Sequence, residues 1–396
     1  MIASLYIHIP FCVSLCDYCD FYSELTPHFV SGSKNRMDQF VDTLIQELDV
    51  AFSHYAITAV PTLYIGGGTP SVLGTKRLET ILDHLHGLIK LWPVEATVEV
   101  NPESMSEDLM AMLRYRDINR LSLGIQSLRE KSRRAVNRSG TVDQCLCALD
   151  LAGRYFPDAF SVDLMSGLPF QNTEELCGDI DRMVSAGATH VSLYSLTLED
   201  STPLAAQIRS GLVELPVDEM AEELWLAGRD MLCLRGLVPY EVSNFSVPGH
   251  ESRHNMRYWH MKNWIGCGPS ASSTIISESD GTAARHTNAA SLGSYLDWNG
   301  QTIPPGQDEP LDRETLLRES LMMGFRTLQG PDEALFLSRF HQSIESLIPR
   351  TLKRWSTREL VQKNRMALTP EGLLLLNSFL VDCFQELEQS TSPASS

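Results

Sequence analysis

The feature that most restricts the fold is a repeated pattern. Short β-type runs, each closed by turn residues, alternate with stretches whose apolar positions recur at helical spacing. The runs are residues 5–9, 61–65, 96–100, 120–127, 159–165 and 190–196; the helical stretches include 39–56, 106–115, 143–155 and 173–186, with another helix beginning near Thr75. Strands separated in this way imply right-handed βαβ units and a parallel sheet. The strands are fewer than the eight of a closed barrel. The expectation is an α/β fold built as an open, partial (β/α)6 TIM-like barrel, with a doubly wound open sheet as the alternative architecture. A chain of 396 residues can hold such a barrel and a smaller domain.

Directly after the first strand, Cys12, Cys16 and Cys19 form a C-x3-C-x2-C pattern. Thiolates at these spacings can wrap one side of an iron–sulfur cluster, because each intervening loop is short enough to face all three sulfurs to one point. A four-iron cluster with three protein ligands keeps one iron open, the mark of a site that binds something besides protein. A structural zinc knuckle would want a fourth Cys or His nearby; the nearest is His28, and no second C-x2-C pair occurs. The other six cysteines (Cys145, Cys147, Cys177, Cys233, Cys267 and Cys383) lack ligand spacing and suit small buried apolar positions.

In barrels of this kind functional residues gather at the C-terminal ends of the strands. The cysteines follow the first strand and Gly66-Gly67-Gly68-Thr69 the second. Glu99 ends the third, Gln126 ends the fourth, and Asp163 lies in the fifth. Three consecutive glycines let backbone and ligand meet with no Cβ between them. The motifs thus share one rim.

The net charge of −18 argues against a nucleic-acid surface and against docking on an anionic membrane through a basic patch. No apolar run approaches the ~18 residues of a membrane span, and Met1-Ile2-Ala3-Ser4 has no signal-peptide character. Clustered thiols in a long chain point to a reducing compartment, so a cytoplasmic location is expected.

Residues 240–273 are dense in Tyr, Trp, His and Asn, and include Arg253-His254-Asn255-Met256-Arg257-Tyr258-Trp259. Aromatic side chains beside a histidine could hold a flat macrocycle with an axial ligand; equally, they could be a buried cluster that closes the barrel. Pro304-Pro305-Gly306 marks a linker, followed by helical spacing at Leu316, Leu317, Leu321 and Met322 and at Phe336, Phe340, Ile344 and Leu347. Thr369 and Pro370 read as the N-cap and first residue of a helix. The expected organisation is a barrel over 1–240, an aromatic and His-rich segment closing it over 241–303, a mainly helical, winged-helix-like domain over 304–388, and a disordered tail over 389–396.

The words IHIPFC and DYCDFYS around the cysteines, GGGTP and H-N-x-x-Y-W together resemble the radical S-adenosylmethionine (SAM) superfamily. Within it they resemble the oxygen-independent coproporphyrinogen III oxidase-like branch, and its HemW-type heme chaperones in particular. The resemblance runs from about Leu5 to about Ser273. It implies that Cys12, Cys16 and Cys19 hold a 4Fe-4S cluster whose open iron binds SAM. It further implies that Tyr6 and Tyr18 lie near the cofactor, and that Gly67, Gly68 and Thr69 hold its methionine end. Glu99, Gln126, Arg138 and Asp163 would make polar contacts to it. His254, Tyr258 and Trp259 would contact heme. Ser270 and Ser272 depart from the family, which has glycine and histidine there.

Three functions are compatible with these residues. One is a heme chaperone that passes heme to an acceptor protein; another is oxygen-independent oxidative decarboxylation of coproporphyrinogen III; the third is a barrel with a structural metal. The oxidases that the chain resembles carry a further cysteine two residues after the third ligand, where this chain has Phe21, and a longer N-terminal extension. The chaperone reading is therefore ahead.

Overall fold

The computed structural model describes residues 1–26 and 35–391. His28, most of the loop expected before the first helix and the last five residues lie outside the described residues. Helix Leu376–Thr391 runs through the first residues of the stretch expected to be disordered.

Strand β1 (Ser4–Ile9) alternates in the way a half-internal strand must: Leu5, Ile7 and Ile9 join the main apolar core, while Tyr6 and His8 point to the barrel interior. Two short strands, β2 (Phe11–Cys12) and β3 (Glu24–Leu25), pair in parallel and bracket the cysteine loop. Strands β4 (Thr62–Gly67), β5 (Glu95–Val100), β6 (Arg120–Gln126), β7 (Phe160–Ser166) and β8 (His190–Ser195) follow. Each pairs in parallel with its predecessor, beginning with β1 against β4. The order of these six strands never reverses, so they form a (β/α)6 unit. A doubly wound sheet would need a switch point.

The connecting helices start where the sequence supplies caps. Asn35, Ser106, Thr141 and Asn172 each accept a backbone N–H in the first turn, and Thr141 completes a capping box with Gln144. Each such cap contributes about 1 kcal/mol.

The sheet then extends on both flanks. β9 (Val238–Pro239) and β10 (Asn244–Ser246) add antiparallel beyond β8. β11 (Trp264–Cys267) adds parallel to β1, and β12 (Ser272–Ser277), β13 (Thr282–Asn288) and β14 (Gly306–Leu311) continue antiparallel. With both flanks occupied, β8 does not meet β1 and the barrel stays open. β14 falls within the range expected for the C-terminal domain, yet it pairs in the main sheet. The helical unit begins with Arg313–Phe325 and has its own core, centred on Phe325, Phe340, Trp355 and Phe379. The bridge Val361 to Leu368 supplies a β element within it, and Thr369 caps the next helix by accepting from the Gly372 N–H.

After β11 the chain turns at Gly268, whose φ is +101° and whose N–H donates to the buried Glu47 at 2.7 Å. A Cβ at Gly268 would stand 2.3 Å from the His8 carbonyl oxygen. Gly268→Ala therefore combines backbone strain with overlap against β1. It is expected to lower the unfolding free energy by about 2–4 kcal/mol, read as a lower urea midpoint at unchanged slope.

Candidate functional site

The strand ends of the (β/α)6 unit surround a cavity of about 390 Å³. Its wall contains Cys12, Cys16, Cys19, Tyr18, Gly67, Gly68, Thr69, Glu99, Gln126, Arg138 and Asp163. Tyr6 does not reach it. Its hydroxyl bonds His8 Nδ1 at 3.0 Å and its ring stacks on Tyr64, within the barrel below the cavity.

The cysteine loop is fixed by backbone bonds from several directions. Asp17 N donates to the Val136 carbonyl at 3.0 Å, Leu204 N to the Asp17 carbonyl at 2.8 Å, and Asn137 Nδ2 to the Leu15 carbonyl at 2.9 Å. Cys12 Sγ lies 3.6 Å from Thr69 Oγ1. Burial pushes the Cys19 thiol up to about 11 and raises that of Cys12. Such thiols become ligands when a metal takes up the negative charge. Among the described residues no group of His, Cys, Asp and Glu has the geometry of a single-ion site. The three sulfurs instead stand around the cavity wall.

The glycines are demanded by the protein's own packing against the cavity wall. A Cβ on Gly68 would lie 3.0 Å from Cys12 Sγ and 2.8 Å from the Phe11 carbonyl. Gly67 has φ +109°, and a Cβ there would strike the His8 ring at 2.6 Å. Three thiols, a side-chain-free approach and a carboxylate, an amide and a guanidinium on one wall fit a cluster bearing an amino acid-like ligand.

Arg138 is the wall's organiser. Its Nη2 donates to Asn101 Oδ1 at 2.7 Å and to the Gly124 carbonyl at 2.5 Å, and its Nη1 lies 3.7 Å from Cys16 Sγ. Asn101 in turn donates to Thr69 Oγ1 at 2.8 Å, so one side chain ties the cysteine loop, β5, β6 and the glycine segment together. Sequence reasoning missed Asn101 and Tyr194 as site residues. Their only signal was position at a strand end. Gln126 takes φ +68° just past the β6–β7 register shift, where it pairs with Leu164 and lines the cavity at the rim.

Glu99 accepts from Tyr64 Oη at 2.7 Å and from the Gly67 N–H at 3.1 Å. Burial, with help from the Asp163 carboxylate, pushes it up to about 7 against those bonds. Asp163 accepts from Ser122 Oγ at 3.2 Å and is likewise raised by burial.

His254, Tyr258 and Trp259 are not brought to this cavity. They belong to helix Arg253–Trp259, which lies under the first residues of the strands, at the opposite end. Glu95 accepts the N–H groups of Arg253 and His254 at 2.9 and 2.8 Å. His254 Nδ1 meets Thr62 Oγ1 and its Nε2 meets Tyr258 Oη, both at 2.9 Å. Burial pushes this imidazole down to about 3, so it is neutral. Ser270 sits at φ +64°, a conformation glycine adopts freely, and Ser272 Oγ pairs with Thr287 Oγ1 on the neighbouring strand.

A family model described as "Radical SAM superfamily" matches residues 6–183. Heme chaperone HemW of Lactococcus lactis is 31% identical, covering 96% of this chain and 97% of the relative. HemW of Escherichia coli is 30% identical over 95% and 97%. The mitochondrial radical S-adenosyl methionine domain-containing protein 1 of Bos taurus is 31% identical over 98% and 88%. Among solved structures, coproporphyrinogen III oxidase (HemN) from Escherichia coli superposes with a TM-score of 0.79 at 21% identity, covering 96% of this chain and 89% of that one.

A folded Glu99 holds its proton to higher pH than an unfolded one. The unfolded chain therefore releases that proton first as pH rises from about 4.5 to 7, and stability falls across this window. Glu99→Gln is expected to flatten the fall without abolishing it, because Glu47 is also pushed up to about 7. Urea unfolding at pH 5 and pH 7.5 reads the difference.

Proposed function

Because the chain belongs to the radical SAM superfamily, in the family that includes the heme chaperone HemW, we propose that it binds heme and hands it to an acceptor protein. The same scaffold carries a 4Fe-4S cluster and SAM. The observation that carries this reading is likeness to HemW proteins along nearly the whole chain, the C-terminal helical unit included. The superfamily's own stretch ends at residue 183. Coproporphyrinogen oxidation draws on a fold likeness at 21% identity, which carries fold alone. At the position where oxidases resembled in sequence have another cysteine, Phe21 stands 68% exposed beside the cavity.

Cys12, Cys16 and Cys19 are assigned to the cluster. An iron without a protein ligand supplies an open position for the amino and carboxylate groups of SAM. Arg138 directs a guanidinium N–H at the Cys16 sulfur and, through Asn101, holds Thr69 in place. The backbone of Gly67 and Gly68, with Thr69, receives the methionine end; Glu99, Gln126 and Asp163 present acceptors and a donor to polar groups of the cofactor. Met165 and Tyr194 complete the inner wall. We place the protein in the cytoplasm, a reducing compartment in which its nine cysteines stay free. Among the described residues no helix is long and apolar enough to cross a membrane.

With both nitrogens of His254 engaged, we assign His254, Tyr258 and Trp259 to holding the barrel's lower end and not to heme. His254→Ala is expected to lower the melting temperature by several degrees while heme still binds stoichiometrically. Loss of heme binding at an unchanged melting temperature would make His254 the ligand.

The whole reading is tested by anaerobic cluster reconstitution and heme titration followed by absorbance, with coproporphyrinogen III and SAM as a parallel assay. One equivalent of heme bound without decarboxylation is expected, and Cys16→Ser should lose the cluster absorbance. Turnover of coproporphyrinogen with only weak heme binding would overturn it.

A further inference from the structure

Beneath the cofactor cavity lies a second, smaller space of about 60 Å³ inside the barrel. The two share one wall, formed by Glu99, Ser122, Asp163 and Tyr194. The far side of the lower chamber is formed by Ser252 and Asn255 of the segment that closes the strand starts.

Three side-chain atoms in the chamber wall have no hydrogen-bond partner among the described residues: Thr97 Oγ1, Arg120 Nη2 and His190 Nδ1. Their residues are 1, 9 and 2% exposed. Each buried polar atom left unpaired costs about 1–3 kcal/mol, so three on one small space call for a shared occupant. A cation is disfavoured: Arg120 stands on the wall, and the neighbouring Glu99, Asp163 and His190 do not have single-ion geometry. An anion is disfavoured by the two carboxyl groups opposite. Water satisfies donors and acceptors alike, and the volume suits on the order of four molecules.

We propose that this chamber is an internal solvent site, whose ordered waters bond Thr97, Arg120 and His190 and join the carboxyl groups of Glu99 and Asp163 to the pair His190–Tyr240. His190 Nε2 meets Tyr240 Oη at 2.7 Å, and that hydroxyl accepts the Ser252 N–H at 3.2 Å. Arg120 Nη1 donates to the His250 carbonyl at 3.0 Å, so the wall of the chamber reaches the closing segment twice. The arrangement gives a proton on either carboxyl group a path into the barrel interior, away from the cofactor cavity on the other side of the shared wall. Glu99 faces Tyr6, Tyr64, Asp163 and Tyr194, and Asp163 also faces Arg120 and Arg138. None of these supplies a mobile proton relay of its own, since the phenols are all raised by burial.

Neither heme nor SAM is needed to fill the chamber or to follow its exchange. A crystal structure of the full chain at a resolution that shows water should place ordered waters within hydrogen-bond distance of Thr97 Oγ1, Arg120 Nη2 and His190 Nδ1. Infrared spectroscopy should then follow deuterium exchange of the protonated carboxyl bands, assigned with Glu99→Gln and Asp163→Asn. The isosteric Thr97→Val and the space-filling Asn255→Leu are expected to slow that exchange at least tenfold at unchanged circular dichroism. If one variant misfolds, the other reads the effect. A chamber whose side chains pair with one another, an occupant other than water, or an unchanged exchange rate would overturn the proposal.

Discussion

Strand β1 is held between two parallel neighbours, β4 and β11, and the geometry at both ends of the barrel is registered from that ladder. Pairing of Ile9 with Gly67 sets the glycine segment beside the cysteine loop, and the Gly68 N–H closes the junction on the Ile9 carbonyl at 2.8 Å. A shift of one residue would exchange Leu5, Ile7 and Ile9 for Tyr6 and His8 in the core. Burial of three large aliphatic side chains thus holds the thiols in register with the glycines. Gly67, Gly68 and Gly268 have no side chain because His8, Cys12 and the β1 backbone stand where one would go.

The two ends of the barrel divide their work. At the strand starts, side chains pair off: Glu95 with two backbone N–H groups, Thr62 with Ser4 and His254, His190 with Tyr240. Rings continue this packing from Tyr64 through His254 and Tyr258 to Trp264. At the strand ends, the charged and polar groups converge on open space, and Gln126 carries the strain of a positive φ. Stability is concentrated at one end, which frees the other to be arranged around a ligand.

The six parallel strands and their helices were legible because each carries its own period, two in strands and close to four in helices, with caps between. That these residues would gather at one rim was legible for the same reason: a strand end is a local feature. The flanking strands were not. β13 reads TAARHTN and β14 reads GQDEPL, with no apolar alternation, because they form an exposed edge rather than a core face. Nor was the place of the H-N-x-x-Y-W motif. His254 meets Thr62 across 192 residues of chain, a contact that no window of sequence encodes, so its composition alone could not separate a ligand pocket from a plug. Tyr6 stands one level below the cavity wall, against His8 and Tyr64, a depth that proximity to a rim motif in sequence does not encode.

The twelve-stranded sheet has two outer strands, and both carry a proline: Pro239 in β9 and Pro310 in β14. Proline offers no N–H to an incoming strand, and β14 adds the exposed carboxylates of Asp308 and Glu309. Such borders discourage a second chain from prolonging the ladder, whether a copy of itself in aggregation or an acceptor adding a strand. Recognition of this protein by another is thereby left to its side chains, which can be specific in a way that backbone zippering is not.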